Sequence, residues 1–252
     1  MKVISVANQK GGVGKTTTAN ALIAGLANCG YKVLGIDFDP QGNLSDSFGA
    51  EMYQKPTIYE LLKGDCSFEE SIQHFGKYDI IPSNIMLAGC EQELSHTGKE
   101  HRLKEAVTPH TDDYDYIIID CPPSLGILTV NAFTFSSEII VPTTAGIFAA
   151  NGIQQLSNTV INVNKYCNPD VRIVGILITR FNPKTNLNKQ LKELTQQLGS
   201  HINAPVYNTF IRSGIAIEEA QATHTDIFTY SDKSTVSQDY KDFINEYLEG
   251  VH

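Results

Sequence analysis

The sequence feature that most constrains this chain is a glycine-rich segment at residues 8–18 that ends in one lysine and three threonines. An apolar, β-branched run precedes it and a helix-forming run follows it, which predicts the local order strand, loop, helix. Gly11, Gly12 and Gly14 allow backbone conformations that a Cβ would forbid, so successive N–H groups can face anionic oxygens at a helix N-terminus. The segment therefore predicts a phosphate-binding loop.

The side chains of this segment fit the same interpretation. Lys15 is placed to reach terminal phosphates, and Thr16 offers a hydroxyl to Mg²⁺. The strict form of the loop has a glycine where this chain has Gln9, and a second lysine, Lys10, stands directly before the glycine pair. A tight turn is the alternative, but the lysine and the flanking strand and helix signals together favour phosphate binding.

Carboxylates follow two further apolar runs. Residues 33–36 lead into Asp37 and Asp39, and residues 116–119 lead into Asp120. Ligands of open α/β sheets lie beyond the carboxyl ends of the strands, so these acids are expected beside the loop. Asp120 is predicted to hold Mg²⁺ directly or through water. Turn chemistry is the alternative for the segment that contains Asp37 and Asp39.

Strand and helix patterns alternate along the whole chain, which predicts an α/β fold with a doubly wound, mainly parallel sheet and helices on both faces. Further strands are predicted at 78–82, 138–142, 171–178 and 205–211. Further helices are predicted at 57–63, 68–75, 87–107, 153–166 and 187–198. The helix at 87–107 is expected to have breaks at 95–98. The last helix is predicted to be amphipathic and to pack on the core through Tyr240, Phe243, Ile244, Tyr247, Leu248 and Val251.

Bulk composition narrows the class of protein. The 252 residues, 41% hydrophobic and 19% charged, predict one globular domain over 1–252. No apolar run approaches the roughly 20 residues of a membrane span, and we expect a cytoplasmic protein without membrane contact. A net charge of −9 argues against nucleic-acid binding by the whole surface and leaves room for a local basic patch. The five cysteines form no C-x-x-C pair and have no histidine at metal spacing, so no zinc or iron–sulfur site within one chain is expected.

With these motifs the chain resembles the ParA/Soj family of partition ATPases, in the wider class that includes MinD and the nitrogenase iron protein. The resemblance covers nearly the whole chain and is carried by three segments, 10–17, 37–43 and 120–125. It implies ATP and Mg²⁺ as cofactors and the catalytic residues Lys10, Lys15 and Asp39. The nucleotide would be bound by Lys10, Gly11, Gly12, Val13, Gly14, Lys15, Thr16 and Thr17, and the metal by Thr16, Asp120 and, through water, Asp39.

The resemblance also implies individual roles. Lys10 would reach across a nucleotide-sandwich homodimer to the partner's phosphates, Thr17 would contact the α-phosphate, and Asp39 would position the attacking water. Phosphoryl transfer depends mainly on positioning and charge neutralisation, so an ordinary carboxylate suffices for Asp39.

The family's ATP-bound dimer coats DNA non-specifically, and a centromere-binding, ParB-like partner stimulates hydrolysis. The same is expected here, with nucleoid association, to segregate a plasmid, mobile element or chromosome. Lys184, Lys189 and Arg212 match regions where family members contact DNA, although ordinary solvated lysines are the alternative. The match weakens at 210–213, where the family often reads Ile-Pro-Arg-Asn and this chain reads Phe-Ile-Arg-Ser.

Three other functions compete with partition. A MinD-like spatial regulator at a membrane is disfavoured, because the C-terminal helix is acidic on its polar face. An electron-transfer ATPase with a shared cluster needs two positioned cysteines per subunit, and Cys121 alone lies near the expected active edge. A scaffold without hydrolysis is disfavoured by the presence of both Asp39 and Asp120.

Overall fold

The strands form one eight-stranded sheet. The computed structural model describes residues 1–90, 97–146 and 149–250, without the side chains at positions 149, 150, 187 and 189. The strands are β1 (Lys2–Val6), β2 (Val33–Asp37), β3 (Gln73–His74), β4 (Tyr78–Ile81), β5 (Tyr116–Asp120), β6 (Glu138–Thr144), β7 (Arg172–Thr179) and β8 (Val206–Phe210). Their order across the sheet is β3-β4-β2-β5-β1-β6-β7-β8, and only the β3–β4 pair is antiparallel. The predicted doubly wound, mainly parallel sheet is confirmed.

The topology places the loop after β1 at the centre of the carboxyl edge. β1 lies between β5 and β6, and the chain runs to one side of it for β2 and to the other side for β6, β7 and β8. Such a switch point opens a crevice beyond the strand ends. In the register of β2 and β5, Asp37 lies directly beside Asp120. The sheet therefore brings the glycine-rich loop and the predicted acids to one place.

Helices cover both faces of the sheet. They are α1 (Lys15–Asn28), α2 (Asn43–Ser47), α3 (Ile58–Lys63), α4 (Phe68–Ser71), α5 (Arg102–Val107), α6 (Ile127–Phe135), α7 (Ala149–Tyr166), α8 (Asn186–His201), α9 (Ala216–Ala222), α10 (Ile227–Tyr230) and α11 (Thr235–Glu249). Short 3₁₀ helices occupy Ile85–Gly89, Lys99–His101 and Thr108–Asp113.

Two apolar cores result, one on each face. Successive residues of a strand alternate between them, as Ile117 and Ile118 of β5 do. Helices α6 and α7 pack on the first core, and α1 and α11 pack on the second. The central strands β2, β5 and β6 are buried almost throughout because helices cover both faces of the sheet, which explains their continuous apolar sequences.

The last helix confirms the prediction of core packing. Tyr240, Phe243, Ile244 and Tyr247 are buried against the second core, and Leu248 packs on it from the edge. Val251 lies outside the described residues. No helix in the described ranges is long and apolar enough to span a bilayer.

One predicted helix is wrong in extent. The helix predicted at 68–75 ends at Ser71, and β3 follows it as a short hairpin with β4 around Gly76, whose φ is 74°. The Gln73 side-chain amide fixes this edge, since it accepts from the Glu51 N–H and donates to the Glu51 carbonyl. In the segment predicted to be helical at 87–107 with breaks at 95–98, the described residues are helical up to Cys90, form a turn at 97–98 and continue as a second 3₁₀ turn that runs into α5. Residues 91–96 lie outside the described residues.

Candidate nucleotide-binding site

The glycine-rich loop runs from the end of β1 to the start of α1. Gly12 and Gly14 take positive φ values of 72° and 87°, a region that glycine enters without strain. The Asn8 side chain bridges the loop to the sheet, because its Nδ2 donates to the Pro142 carbonyl at 2.7 Å and its Oδ1 accepts from the Lys10 N–H at 3.0 Å. Strand β6 thereby holds the first half of the loop.

Strand β7 holds the second half of the loop. The Thr179 hydroxyl donates to the Val13 carbonyl at 2.8 Å, and the Val13 side chain is buried. Val13 can therefore serve a ligand only through its backbone N–H. Because both halves are tied to neighbouring strands, the loop is held in shape by the fold itself, which is the preorganisation that anion binding requires.

Lys15 is the first residue of α1 and is 7% exposed. Its Nζ donates to the Lys10 carbonyl at 3.4 Å, a long bond that leaves most of its hydrogen-bonding capacity unused. Burial lowers the pKa of Lys15, while the carboxylates of Asp120 and Asp39 oppose that change. The arrangement is a buried cation whose counter-charges are the two predicted acids.

The two carboxylates after β2 have different surroundings. Both oxygens of Asp37 are occupied: one accepts from the Ser45 N–H and Oγ–H at 2.8 and 2.7 Å, and the other accepts from the Asp39 N–H at 3.2 Å. Burial raises the pKa of Asp37 to about 6 despite these bonds. Asp37 therefore anchors α2 and the preceding turn, and has no oxygen left over for a ligand.

Asp39 lies at the rim of the cleft and is 8% exposed. One of its oxygens accepts from the Gln41 N–H at 3.0 Å, which fixes the turn. The second oxygen has no hydrogen bond among those found in the described residues. Asp39 is thus the acid of this segment that can act on a ligand or a water in the cleft.

Asp120 is fully buried, and neither carboxylate oxygen has a hydrogen-bond partner in the described part of the chain. Burial raises its pKa well above the usual value, the neighbouring Asp37 raises it further, and the Thr16 hydroxyl and Lys15 ammonium only partly oppose this. A buried carboxylate without partners is costly unless a cation neutralises it. Oxygen ligands from Asp120 and Thr16 are those that Mg²⁺ prefers, so the residues fit the predicted metal.

Above these residues lies an open cleft of about 380 Å³. Of the predicted nucleotide ligands, Gly11, Gly12, Gly14, Lys15, Thr16 and Thr17 line it, as does Asp39. Lys10 is exposed and does not line the cleft of its own chain. The cleft combines a cradle of backbone N–H groups, one buried lysine and Asp39, while the fully buried Asp120 is not among its lining residues. A phosphate cradle with a lysine and nearby carboxylates suits a polyphosphate with a divalent cation.

The cleft also has lining residues that the sequence did not reveal. They are Gln41, Asn43, Asp46, Ser47, Pro123, Arg180 and Gln221. Arg180 follows the carboxyl end of β7 and has a positive φ of 51°, which is uncommon for a residue with a side chain. Its position at a strand end could have predicted that Arg180 lines the cleft, whereas nothing in the sequence around Gln221, on α9, predicts that it does.

A second cleft of about 280 Å³ adjoins the first and shares Gly14, Thr17, Arg180 and Gln221 with it. Its far wall consists of residues after β8, from Ile211 to Gly214, with Tyr240 of α11. Because the two clefts share Gly14 and Thr17, they adjoin along one side of the phosphate loop.

The three predicted DNA-binding residues have different surroundings. Lys184 is exposed in the loop after β7, whereas Arg212, after the neighbouring strand β8, is paired with Asp239 at 2.6 Å and donates to it through Nε as well. Lys189 falls within α8, and its side chain lies outside the described residues. Lys184 and Arg212 thus share the carboxyl edge, but only Lys184 is an unpaired cation among the contacts found.

The fold and the cleft define a phosphate-loop NTPase, whose nucleotide lies at the carboxyl edge of a parallel sheet. A family model described as an AAA domain matches residues 1–173. The sporulation initiation inhibitor protein Soj of Bacillus subtilis is 40% identical over 249 residues, 97% of each chain. The chromosome partitioning protein ParA of Caulobacter vibrioides is 35% identical over 254 residues, covering 98% of this chain and 94% of ParA.

Among solved structures, a cobyrinic acid a,c-diamide synthase from Mycobacterium smegmatis with a bound ATP analogue and magnesium superposes with a TM-score of 0.86. It is 32% identical, and the match covers 99% of this chain and 95% of that one. The chain belongs to the ParA/Soj family of partition ATPases. The predictions of family, fold class and ATPase activity are confirmed.

Proposed function

We propose that this protein is an ATP-driven dimerising switch that binds DNA non-specifically and segregates a replicon with a centromere-binding partner. The observation that carries the proposal is Asp120, a fully buried carboxylate that accepts no hydrogen bond within the described residues, near the buried Lys15 and Thr16 of a preformed phosphate loop. ATP and Mg²⁺ are the cofactors, in keeping with the ATP analogue and magnesium bound to the similar M. smegmatis protein.

The residues of the cleft divide the chemistry of hydrolysis among themselves. The loop N–H groups and Lys15 bind the phosphates and neutralise the charge that develops on them. Thr16 and Asp120 would hold Mg²⁺, with Asp39 reaching it through water, and the metal would supply further charge neutralisation on the phosphate oxygens. The free oxygen of Asp39 orients a water for attack on the terminal phosphate.

The second cleft is the place for the nucleoside. It continues from Gly14 and Thr17, where the phosphate chain ends, and Arg180 stands between the two clefts with its cationic side chain. A guanidinium can stack on a base or pair with a phosphate. This placement makes Arg180 and the wall at 211–214 the contacts of the base and ribose.

Lys10 supports dimerisation. Its side chain is exposed, and its backbone is fixed by Asn8 and by Lys15. An exposed lysine that does not line the cleft of its own chain is available to the phosphates of a second chain. ATP bound between two chains would then be part of the interface, so that hydrolysis releases the dimer.

DNA binding is proposed at the carboxyl edge near Lys184, with Lys189 and the exposed part of Arg212. Each phosphate neutralised contributes about −0.9 to the slope of log affinity against log salt. A dimer that presents roughly four to six such cations predicts a slope of about −4 to −5. The overall charge of −9 confines binding to this patch.

The test is a DNA-binding titration with ATP, ADP or no nucleotide at several salt concentrations. We expect binding with ATP alone, a steep salt dependence, and for Lys184→Ala a slope reduced by about 2, since each dimer loses two cations. Lys104→Ala removes an exposed lysine on α5 and is the matched control. Equal or absent binding in all three nucleotide states would refute the DNA-binding switch while leaving the ATPase intact.

The competing functions fit less well. The C-terminal helix buries its aromatic face in the second core and does not offer it to a membrane. Cys121 is fully buried, and burial raises its pKa to about 12, which disfavours the thiolate that an iron–sulfur cluster requires. A cytoplasmic, nucleoid-associated location and a ParB-like stimulating partner belong to the proposed function.

A further inference from the structure

A second group of metal-ligating side chains lies away from the nucleotide cleft. Glu100 and His101 are in the 3₁₀ turn before α5, and Cys167 follows the C-terminus of α7. Their ligand atoms all lie within 4.8 Å of one another, and all three side chains are half-buried. Sequence spacing does not reveal the group, because the cysteine is far along the chain from the histidine.

We propose that Glu100, His101 and Cys167 form a binding site for one Zn²⁺ ion. Imidazole nitrogen, thiolate sulfur and carboxylate oxygen are the three ligand types that zinc combines in proteins, with a fourth position left to water. At normal zinc bond lengths, tetrahedral ligand atoms are roughly 3.3–3.8 Å apart. The ligand atoms, all within 4.8 Å of one another, would have to approach to that range when the ion binds.

Both halves of the site are fixed to the same helix by buried asparagines. Asn131 of α6 accepts from the Leu103 N–H at 3.1 Å and donates to the Lys99 carbonyl at 2.8 Å, so it holds the turn that carries His101. Asn168 donates to the carbonyls of Phe133 and Ser136 at 3.0 and 2.7 Å, so it holds the residue next to Cys167. The backbone around the ligands is thereby set before any ion binds.

The charge of the group also suits zinc. One carboxylate and one thiolate together neutralise a divalent cation. Thiolate and imidazole ligands disfavour Mg²⁺ and Ca²⁺, which prefer oxygen. The site is therefore chemically distinct from the Asp120 site and does not depend on the proposed function.

The location gives the ion a structural effect. β7 begins at Arg172, shortly after Cys167, so the cysteine lies at the amino edge of the sheet, opposite the nucleotide cleft. A bound ion would cross-link the turn before α5 to the α7–β7 connection. We expect zinc to raise the thermal unfolding midpoint, because an ion that binds only the folded chain stabilises it.

The experiment is a Co²⁺ titration of the reduced, untagged, full-length protein in saturating MgATP, followed by Zn²⁺ displacement and chelator competition. We expect one equivalent per chain and a near-ultraviolet thiolate-to-cobalt absorption that Zn²⁺ abolishes. Cys167→Ser should remove the absorption, and His101→Ala and Glu100→Gln should each weaken Zn²⁺ binding at least about tenfold. Cys29→Ser, which changes an exposed cysteine elsewhere, is the matched control and should bind like the wild type.

Three outcomes would overturn the proposal. They are the absence of the absorption in the wild type, its persistence in Cys167→Ser, and its loss in Cys29→Ser. Cys167 packs against the first core, so its variant is first checked for folding by circular dichroism. If Cys167→Ser does not fold, His101→Ala decides, and unchanged Zn²⁺ affinity in that variant refutes the site.

Discussion

Ser45 offers a quantitative test of how the acidic side of the nucleotide site is held. Its hydroxyl is fully buried, donates to Asp37 at 2.7 Å and accepts from the Ser83 N–H at 2.9 Å. In Ser45→Ala the carboxylate of Asp37 loses a charge-assisted bond, worth about 1.5–3 kcal/mol, and the Ser83 N–H is left unsatisfied, which costs about 1–3 kcal/mol. We expect the free energy of unfolding to fall by about 3–5 kcal/mol.

The assay is urea unfolding at neutral pH without nucleotide, followed by circular dichroism. The matched control is Ser71→Ala, since Ser71 is equally buried but donates one neutral bond, to the Phe68 carbonyl at 2.7 Å, for which about 1 kcal/mol is expected. The thermal midpoint of Ser45→Ala should fall by roughly 6–20 °C, at about 2–4 °C per kcal/mol. If the two variants were destabilised equally, the reasoning about the Asp37 network would be refuted.

Four further predictions concern the acids and lysines of the cleft. Lys15→Ala should abolish ATP binding in calorimetry with Mg²⁺, and retained heat of binding would contradict its role. Lys10→Ala should still bind ATP as a monomer but fail to dimerise in light scattering, whereas dimerisation at the wild-type level would count against contact across the interface. Asp39→Ala should bind ATP, stay dimeric and lose turnover, and unchanged turnover would remove Asp39 from the mechanism. Burial raises the pKa of Asp37 from 3.8 to about 6, so the folded state favours its protonated form. The contribution of Asp37 to the free energy of unfolding therefore falls by about 3 kcal/mol as the pH rises from about 4 to above 6. Asp37→Asn should remove that part of the pH dependence in urea unfolding, and an unchanged profile would contradict the assignment.

The main strands and the phosphate loop were predictable because each has a local cause. A strand covered on both faces must be apolar throughout, and a loop that aims N–H groups at phosphate needs glycine at positions such as Gly12 and Gly14. Lys15 followed from the phosphate-loop motif, and the positions of Asp39 and Asp120 followed from the rule that ligands lie beyond strand ends. These predictions needed only the chain within a few residues of each motif.

What the sequence did not reveal depends on contacts between distant segments. Arg180 and Gln221 enter the cleft because β7 and α9 reach it from the far end of the chain. Spacing alone does not separate Asp37 from Asp39, and the sequence favoured Asp39 only through the family resemblance. The position of Ser45 shows why they differ, because both oxygens of Asp37 accept hydrogen bonds and only one oxygen of Asp39 does. The pairing of Arg212 with Asp239 likewise requires α11 to be in place.

The adjacent carboxylates explain why folding and ligand binding should be coupled in this protein. Asp37 and Asp120 are register partners on neighbouring strands and both are fully buried. Burial raises the pKa of each, the charge of Asp37 raises the pKa of Asp120 further, and the charge of Asp39 raises that of Asp37. Lys15 supplies one positive charge against them, which is too little to keep every acid of the cluster ionised. A divalent cation bound with the nucleotide would supply the missing charge, so the same acids that destabilise the empty site would favour the occupied one. The nucleotide-free protein should accordingly gain more stability from MgATP at pH 8 than at pH 5, since at pH 5 protons already neutralise part of the cluster.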